Sequence, residues 1–228
     1  VVESLSVIIP TLNEADAIFN TLSALQPLRV RGHEVLVIDG GSNDDTVSIA
    51  KLLSDSIIQS RRGRARQMNA GASWAQGSVF WFVHGDTITP NNADYLIAEQ
   101  LKSYREKWGH FDVRLSGSHP MLRVVERLMN LRSRITSIAT GDQGIFVRRH
   151  LFEAVGGFPE IPLMEDIALS RVLKHHGAPV CVREPLITSS RRWQEHGILR
   201  TILLMWRLRF YYALGVDPVR LAKRYDGT

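Results

Sequence analysis

The chain of 228 residues contains a single cysteine, and its longest apolar runs, such as Val79-Phe-Trp-Phe-Val83, are five residues long. One thiol excludes an internal disulfide framework and any multi-thiolate zinc site. Cys181, in Pro179-Val-Cys-Val182, reads instead as a small buried residue of a strand. Nothing approaches the roughly 18 apolar residues that span a bilayer, so no transmembrane helix is expected. Two nucleotide-binding fingerprints are also missing. Gly40-Gly41-Ser42 lacks the spacing Gly-x-Gly-x-x-Gly, and Gly-x-x-x-x-Gly-Lys-Ser/Thr does not occur, which excludes the usual dinucleotide and P-loop enzymes. An acidic surplus is lacking too: 28 Lys+Arg stand against 23 Asp+Glu, a net charge of +5. That balance suits phosphate ligands, an anionic membrane or nucleic acid. The arginines are spread, with no aromatic RNA-binding signature, so nucleic acid is not an expected partner. At 44% hydrophobic and 22% charged residues, the composition excludes disorder, collagen and coiled coil.

What is present is an alternation of strands and helices. Ser4 to Pro10, Glu34 to Asp39, Ile57-Ile58 and Ser78 to Val83 are short, mostly β-branched or aromatic runs, as expected of strands covered on both faces. Between them lie helical patterns: one after Asn13-Glu14 carrying Ile18, Leu22 and Leu25, one from Asp44 through Leu53, and one from Gly63 to Trp74. This predicts an α/β domain with a Rossmann-like, mostly parallel sheet flanked by helices. Further along, helices are expected over 90–108, 120–134 and 165–175, strands over 111–115 and 180–182, and a loop entering a strand over 141–147. The helix 120–134 should place Met121, Leu122, Val125, Leu128 and Met129 on one face. From Ile198 onward, Ile198, Leu199, Ile202, Leu203, Trp206 and Phe210 form a stripe with Arg200 and Arg207 opposite. His175-His176 at a helix end reads as structural.

Ligands of open parallel sheets bind beyond the carboxyl ends of the strands. Three polar clusters fall there: Thr11-Leu-Asn-Glu14, Asp39-Gly-Gly-Ser42 and His84-Gly-Asp-Thr87. Carboxylates sharing one crevice raise each other's pKa, a cost that a bound cation or ligand donors would offset.

Four segments in sequence order carry a resemblance: Ser6-Val-Ile-Ile-Pro-Thr-Leu-Asn-Glu14, Val37-Ile-Asp-Gly-Gly-Ser-Asn-Asp-Asp-Thr46, Gly63-Arg-Ala-Arg-Gln-Met-Asn-Ala-Gly71 and Phe82-Val-His-Gly-Asp86. Together they resemble the donor half of the family 2 glycosyltransferases, which have the GT-A fold. The likeness continues through Gly141-Asp-Gln, Glu165-Asp166 and Arg191-Arg-Trp193. It implies one GT-A-like domain over 1–195, with a donor half to about 90 and an acceptor half beyond, and a helical extension over 196–228 that packs on the domain or faces a membrane.

The resemblance also implies roles. Asp39 would bond the nucleotide base, with Pro10, Thr11, Glu14 and Gly41 around base and ribose. Gly63, Arg64 and Arg66 of the basic loop would lie near the diphosphate. His84-Gly-Asp86 stands where the family has an Asp-x-Asp metal motif, so Asp86, with His84 in place of the first Asp, would hold Mn²⁺ or Mg²⁺ on the leaving group. Asp166 would be the general base and Glu165 would orient it. Gly141, Asp142, Arg192 and Trp193 would meet sugar or acceptor. Ser189 occupies the place of Gln in the Gln-x-x-Arg-Trp motif of processive members, which argues for a single transfer. The expected partner is a UDP- or GDP-sugar, the acceptor a lipid or small molecule, and the course inverting. A retaining transferase, and a degenerate protein that binds nucleotide-sugar without turnover, are the alternatives. Val1-Val-Glu-Ser leads straight into a strand pattern without a signal peptide, so the expected setting is cytoplasmic, with peripheral contact at the inner face of the cell membrane as a variant.

Overall fold

A computed structural model describes residues 3–102 and 108–226. The first half alternates as expected: β1 (Leu5–Thr11), α1 (Ala15–Val30), β2 (Glu34–Asp39), α2 (Thr46–Leu53), β3 (Ser56–Gln59), α3 (Arg64–Trp74) and β4 (Val79–Phe82). The second half runs β5 (Thr87–Ile88), α4 (Ala93–Leu101), β6 (Trp108–Leu115), α5 (Pro120–Thr136), β7 (Phe146–Arg148), α6 (Arg149–Ala154), α7 (Glu165–Leu173), β8 (Val180–Thr188), α8 (Arg191–Glu195), α9 (Ile198–Ala213) and α10 (Pro218–Asp226). The helix expected over 90–108 is shorter than its pattern. It is described to Leu101, residues 103–107 lie outside the described residues, and Trp108 already opens β6.

One sheet contains all these strands in the order β3-β2-β1-β4-β7-β6-β8-β5. Pairing is parallel from β3 to β4 and between β6 and β8. β7 runs antiparallel to both β4 and β6, and β5 antiparallel to β8. β6 and β8 therefore run in the same direction as β1 and β4, with β7 and β5 the reversed strands, and the carboxyl ends of β1, β4, β6 and β8 lie along one edge of the sheet. A cleft lies along that edge, lined by Pro10, His84, Leu115 and Thr188.

Alternation along each strand divides the core in two. Val7, Ile9, Val35, Val37, Val79 and Trp81 meet Ile18, Leu22, Leu25 and Leu28 of α1 on one face. Ile8, Leu36, Ile38, Phe80 and Phe82 meet Ala65, Met68 and Ala72 of α3, with Leu151 and Phe152 of α6, on the other. Helix α3 lies close to the sheet because Gly71 has no side chain; a Cβ there would come within 2.4 Å of Ile8 Cγ2.

Two amphipathic faces differ from expectation. On α5, Leu122 and Val125 are buried and Met129 packs beside them, but Leu128 is on the opposite side with Val124, Leu131 and Ile135, all exposed. On α9, Ile198 and Ile202 turn inward to that same cluster, whereas Leu199, Leu203, Trp206 and Phe210 are exposed. Arg200 and Arg207 therefore flank the outer row instead of opposing it. Helices carrying more apolar residues than one contact can cover must leave some outside. Thr201 and Leu208 of α9 are buried, and Leu208 forms a small cluster with Leu221 of α10 and with Met164 and Ile167, which joins the C-terminal helices to the domain. Cys181 is half-buried in β8, not fully buried, with its thiol 3.4 Å from Asp112 Oδ1. His175 and His176 lie in the 3-10 turn after α7.

Candidate active site

A cleft of about 330 Å³ opens over the carboxyl ends of β1 and β4, walled by the starts of α7 and α8 and by α9 and α10. Of the expected residues it gathers Pro10, Glu14, Arg64, His84, Asp86, Asp142, Glu165, Asp166, Arg192 and Trp193. Gly141 lines a small adjoining cavity with Glu165 and Asp166.

Both carboxylate-bearing helix starts follow a strained residue. Asn13 (φ 54°) precedes Glu14, and Met164 (φ 70°) precedes Glu165. The left-handed region is tolerated by Asn but costly for a long side chain such as Met. These turns bring Glu14 and the Glu165-Asp166 pair to the cleft as soon as their helices begin. Asp166 is fixed at both oxygens: Oδ2 accepts the Gly141 N–H at 2.9 Å, and Oδ1 accepts the Ile167 N–H at 2.7 Å. The 3-10 turn Gly141–Gln143 that supplies the first of these is itself held by the buried Gln143, whose Nε2 donates to Ser133 Oγ of α5 at 2.9 Å.

The electrostatics divide the cleft. Glu14 and Asp86 are each pushed above the usual carboxylate range, chiefly by burial, and Asp86 further raises Glu14. Glu14 Oε2 is buried without a hydrogen bond, although Arg191 Nη2 stands 3.8 Å away. Deeper in, burial and the neighbouring Asp166 charge raise Glu165, while Arg64, with Nη1 3.7 Å from Glu165 Oε1, pulls it back. Asp142 and His84 are paired, Nδ1 to Oδ1 at 3.3 Å. Burial opposes both charges, but the bond between them lowers Asp142 and raises His84.

An orphaned carboxylate oxygen and two carboxyls destabilised as anions are the environment that a divalent cation relieves, so Asp86 and Glu14 fit a metal. Among the described residues no group of three or more His, Cys, Asp or Glu is arranged to hold one unaided. Mg²⁺-type sites that retain water and substrate phosphates need only one or two carboxylates. His84 differs from the ligand expected. Its Nδ1 is engaged by Asp142, and its Nε2 abuts Gly141 so closely that a Cβ there would lie 2.4 Å away.

Five expected residues line neither the cleft nor the cavity beside it. Thr11 is buried and donates to the Ile38 carbonyl. The buried Asp39 accepts from Gly41 N–H (3.0 Å), Ser42 N–H (3.1 Å) and Ser42 Oγ (2.6 Å), so both oxygens organise the loop after β2 instead of pointing outward. Gly41 (φ 93°) shapes that same loop and Gly63 (φ 134°) opens α3. Arg66 is paired on the surface with Glu160, Nε to Oε2 at 3.1 Å. The basic loop thus contributes Arg64 alone. Arg192 stacks on Tyr225, 3.6 Å from the ring centroid, and donates to its carbonyl, clamping α10 to α8. Trp193 packs half-buried with Leu115, Leu122 and Val125 and still reaches the cleft wall.

Sequence reasoning missed Arg191, Arg209, Thr201, Met205 and Tyr225, which complete the wall. The last four lie beyond 195, on helices whose pattern shows only amphipathicity. Their place against the cleft is set by the packing of Leu208 and Leu221 on Met164 and Ile167.

Comparisons with known proteins agree with this geometry. Over 106 residues the chain is 27% identical to poly-beta-1,6-N-acetyl-D-glucosamine synthase of Staphylococcus aureus, a match spanning 44% of this chain and only 26% of that protein. The fold is similar to S. aureus TarS residues 1–349 (TM-score 0.67, 19% identity, covering 82% of this chain and 60% of that one). It is also similar to a mannosyltransferase of Pyrobaculum calidifontis solved with GDP-Man and Mn²⁺ (TM-score 0.63, 20% identity, 82% and 56% covered). The sequence profile described as Glycosyl transferase family 2 matches residues 6–152, well over half of the chain, and the protein belongs to that family.

Proposed function

We propose that this chain transfers a single sugar from a UDP- or GDP-sugar to an acceptor hydroxyl, with inversion and with help from a divalent cation. One observation carries the reading: Asp86 at the end of β4 and Asp166 at the start of α7 line the same cleft, with Arg64 and Arg191 on its wall. Asp86 and Glu14 would hold Mn²⁺ or Mg²⁺, and the cation would neutralise charge on the departing diphosphate. Arg64 and Arg191 add fixed positive charge to the same leaving group. Asp166, held by Gly141 and Ile167, takes the acceptor hydroxyl proton as the acceptor oxygen bonds to the anomeric carbon and the bond to the diphosphate breaks. Glu165 and the Asp142–His84 pair orient that carboxylate and the sugar. Asp39 acts through the loop it folds, giving the base its pocket. The complexes named for similar folds, UDP-GlcNAc with TarS and GDP-Man with the mannosyltransferase, support either nucleotide.

The partner surface in this reading is an anionic bilayer. The outer rows of α5 (Val124, Leu128, Leu131, Ile135) and α9 (Leu199, Leu203, Trp206, Phe210) are between 45% and 73% exposed, and are flanked by Arg127, Arg200 and Arg207. Among the described residues no helix is long and apolar enough to cross a membrane.

The test of the transferase reading is calorimetric titration with UDP and GDP, each with Mn²⁺, with Mg²⁺ and with chelator. Metal-dependent binding of one nucleoside diphosphate is expected. Binding of neither overturns the reading. Metal-dependent binding with no release of nucleotide from any sugar donor, even to water, makes the chain a nucleotide-sugar-binding protein instead.

A further inference from the structure

The cleft's ion pairs go to Arg64 and Arg191, which meet Glu165 and Glu14. Two other arginines are less well served. Arg132 follows Val125 and Met129 on the side of α5 that packs against α9, and Arg209 follows Met205 and Ile202 on α9. Arg209 lines the cleft together with Asp166, Thr201 and Met205. The Nε and Nη2 atoms of Arg132 are buried without a hydrogen-bond partner.

Burial, and then the Arg209 charge beside it, push Arg132 down to about 10. Burial also lowers Arg209, while Asp166 and Asp142 pull it back up. A fold that brings two guanidinium groups out of water near each other, with donors left over, carries a cost that nothing in the core requires. A bound oxyanion removes that cost. It accepts the idle donors in a fork, which guanidinium geometry favours over any other cation's.

The side of the cleft is also defined. Leu208, next to Arg209, packs on Met164 and Ile167, which flank Glu165-Asp166, and Arg209 and Asp166 line the cleft together, whereas Asp86 follows the end of β4. The arginine pair thus belongs with Asp166, where a hydroxyl must lie to lose its proton, and the leaving diphosphate belongs with Asp86.

We propose that Arg132 and Arg209 form an oxyanion subsite that seats a phosphate or carboxylate group of the acceptor, so that the acceptor is an anionic hydroxyl compound. The word acceptor rests on the transferase reading above; the anion subsite does not. It also gives the C-terminal helix a reason to reach the cleft, since α9 supplies half of the pair.

The experiment uses the whole chain with the donor side first filled by saturating nucleoside diphosphate and Mg²⁺. Methyl phosphate, and separately acetate, are then titrated while heat and melting temperature are followed. Methyl phosphate is expected to bind and to raise the melting temperature. Arg209→Gln and Arg132→Gln should each weaken that binding at least tenfold, with nucleoside diphosphate affinity unchanged within twofold. Ligand-free Arg132→Gln should melt above the parent, because an unpaired buried charge is gone, which also shows that it folds. A parallel arm offers phosphatidylcholine vesicles with and without phosphatidic acid. A response to methyl phosphate identifies a soluble anion as sufficient, and an arginine-dependent response to phosphatidic acid alone identifies a lipid phosphate. No response in either arm, or equal responses from parent and Arg132→Gln/Arg209→Gln double variant, overturns the subsite. Should the nucleoside diphosphate fail to bind, the transferase reading falls, and methyl phosphate titrated alone still decides the subsite.

Discussion

Asp166 and Asp86 sit about the same cleft under different constraints, and substitutions separate their roles. Asp166→Asn keeps an oxygen for one of the backbone N–H groups now bonded to the carboxylate, but cannot take a proton. Turnover should fall by about 10²–10⁴, the usual contribution of a general base, with nucleotide affinity nearly unchanged. A variant that retained full rate would remove Asp166 from that role. Asp86→Asn is expected to do the opposite, abolishing the metal-dependent part of nucleotide binding. It also carries a pH signature. The folded pKa of Asp86 is raised, chiefly by burial, so its ionised form destabilises the ligand-free fold. That stability is fully present below the unfolded pKa and is lost as pH rises through the folded one. Ligand-free Asp86→Asn should therefore melt above the parent at pH 7.5, and the difference should close as pH approaches 4, read by thermal unfolding at both values. These two carboxylates are legible from residue identity alone, because their neighbours in sequence are distinctive. Identity could not show that Asp39 and Arg66 face away, since that depends on whether a loop N–H or Glu160 reaches them first.

At the scale of elements, the site is aimed by where helices start and how close they lie to the sheet. Helix α3 delivers Arg64, and its approach depends on Gly71. Gly71→Ala places a Cβ 2.4 Å from Ile8 Cγ2 and 2.9 Å from Ile38 Cγ1, so helix or strand must shift. Overpacking of this kind costs about 1–3 kcal/mol. Urea denaturation should show that loss, together with weaker nucleotide binding as Arg64 moves outward. Asn13 offers a milder test. Its left-handed backbone and its Oδ1 bond to Asn43 N–H hold the turn into α1. Asn13→Ala should cost about 1–2 kcal/mol by the strain of a non-glycine residue in that region. The β1–β4 alternation was legible because continuous β-branched runs and helical periodicity are local properties. β5 and α6 were not read as separate elements, being two and six residues long. So short a stretch carries too little period to read, and is fixed by the strands it joins.

Across the whole molecule, α9 carries cleft-lining residues on one side and an exposed apolar row on the other. Vesicles containing anionic lipid should shift Trp206 fluorescence to shorter wavelength and sediment with the protein. Leu203→Ser and Trp206→Ser, both at exposed positions, should abolish sedimentation without lowering the melting temperature. Neutral vesicles should bind far less, because Arg127, Arg200 and Arg207 flank the apolar rows. Sedimentation unaffected by these substitutions would sink the membrane assignment. The sequence by itself determined the alternating α/β architecture, the family and the residues at the strand ends, because periodicity and strand-end chemistry are written in neighbouring positions. Packing of distant segments settled that Arg64 alone of its loop enters the cleft, that His84 turns to Asp142, and that Arg209 of α9 lines the cleft with Asp166. Those outcomes depend on which distant groups packing brings within a few ångströms, and on which charges lose their water in doing so. Neither is a property of any segment taken alone.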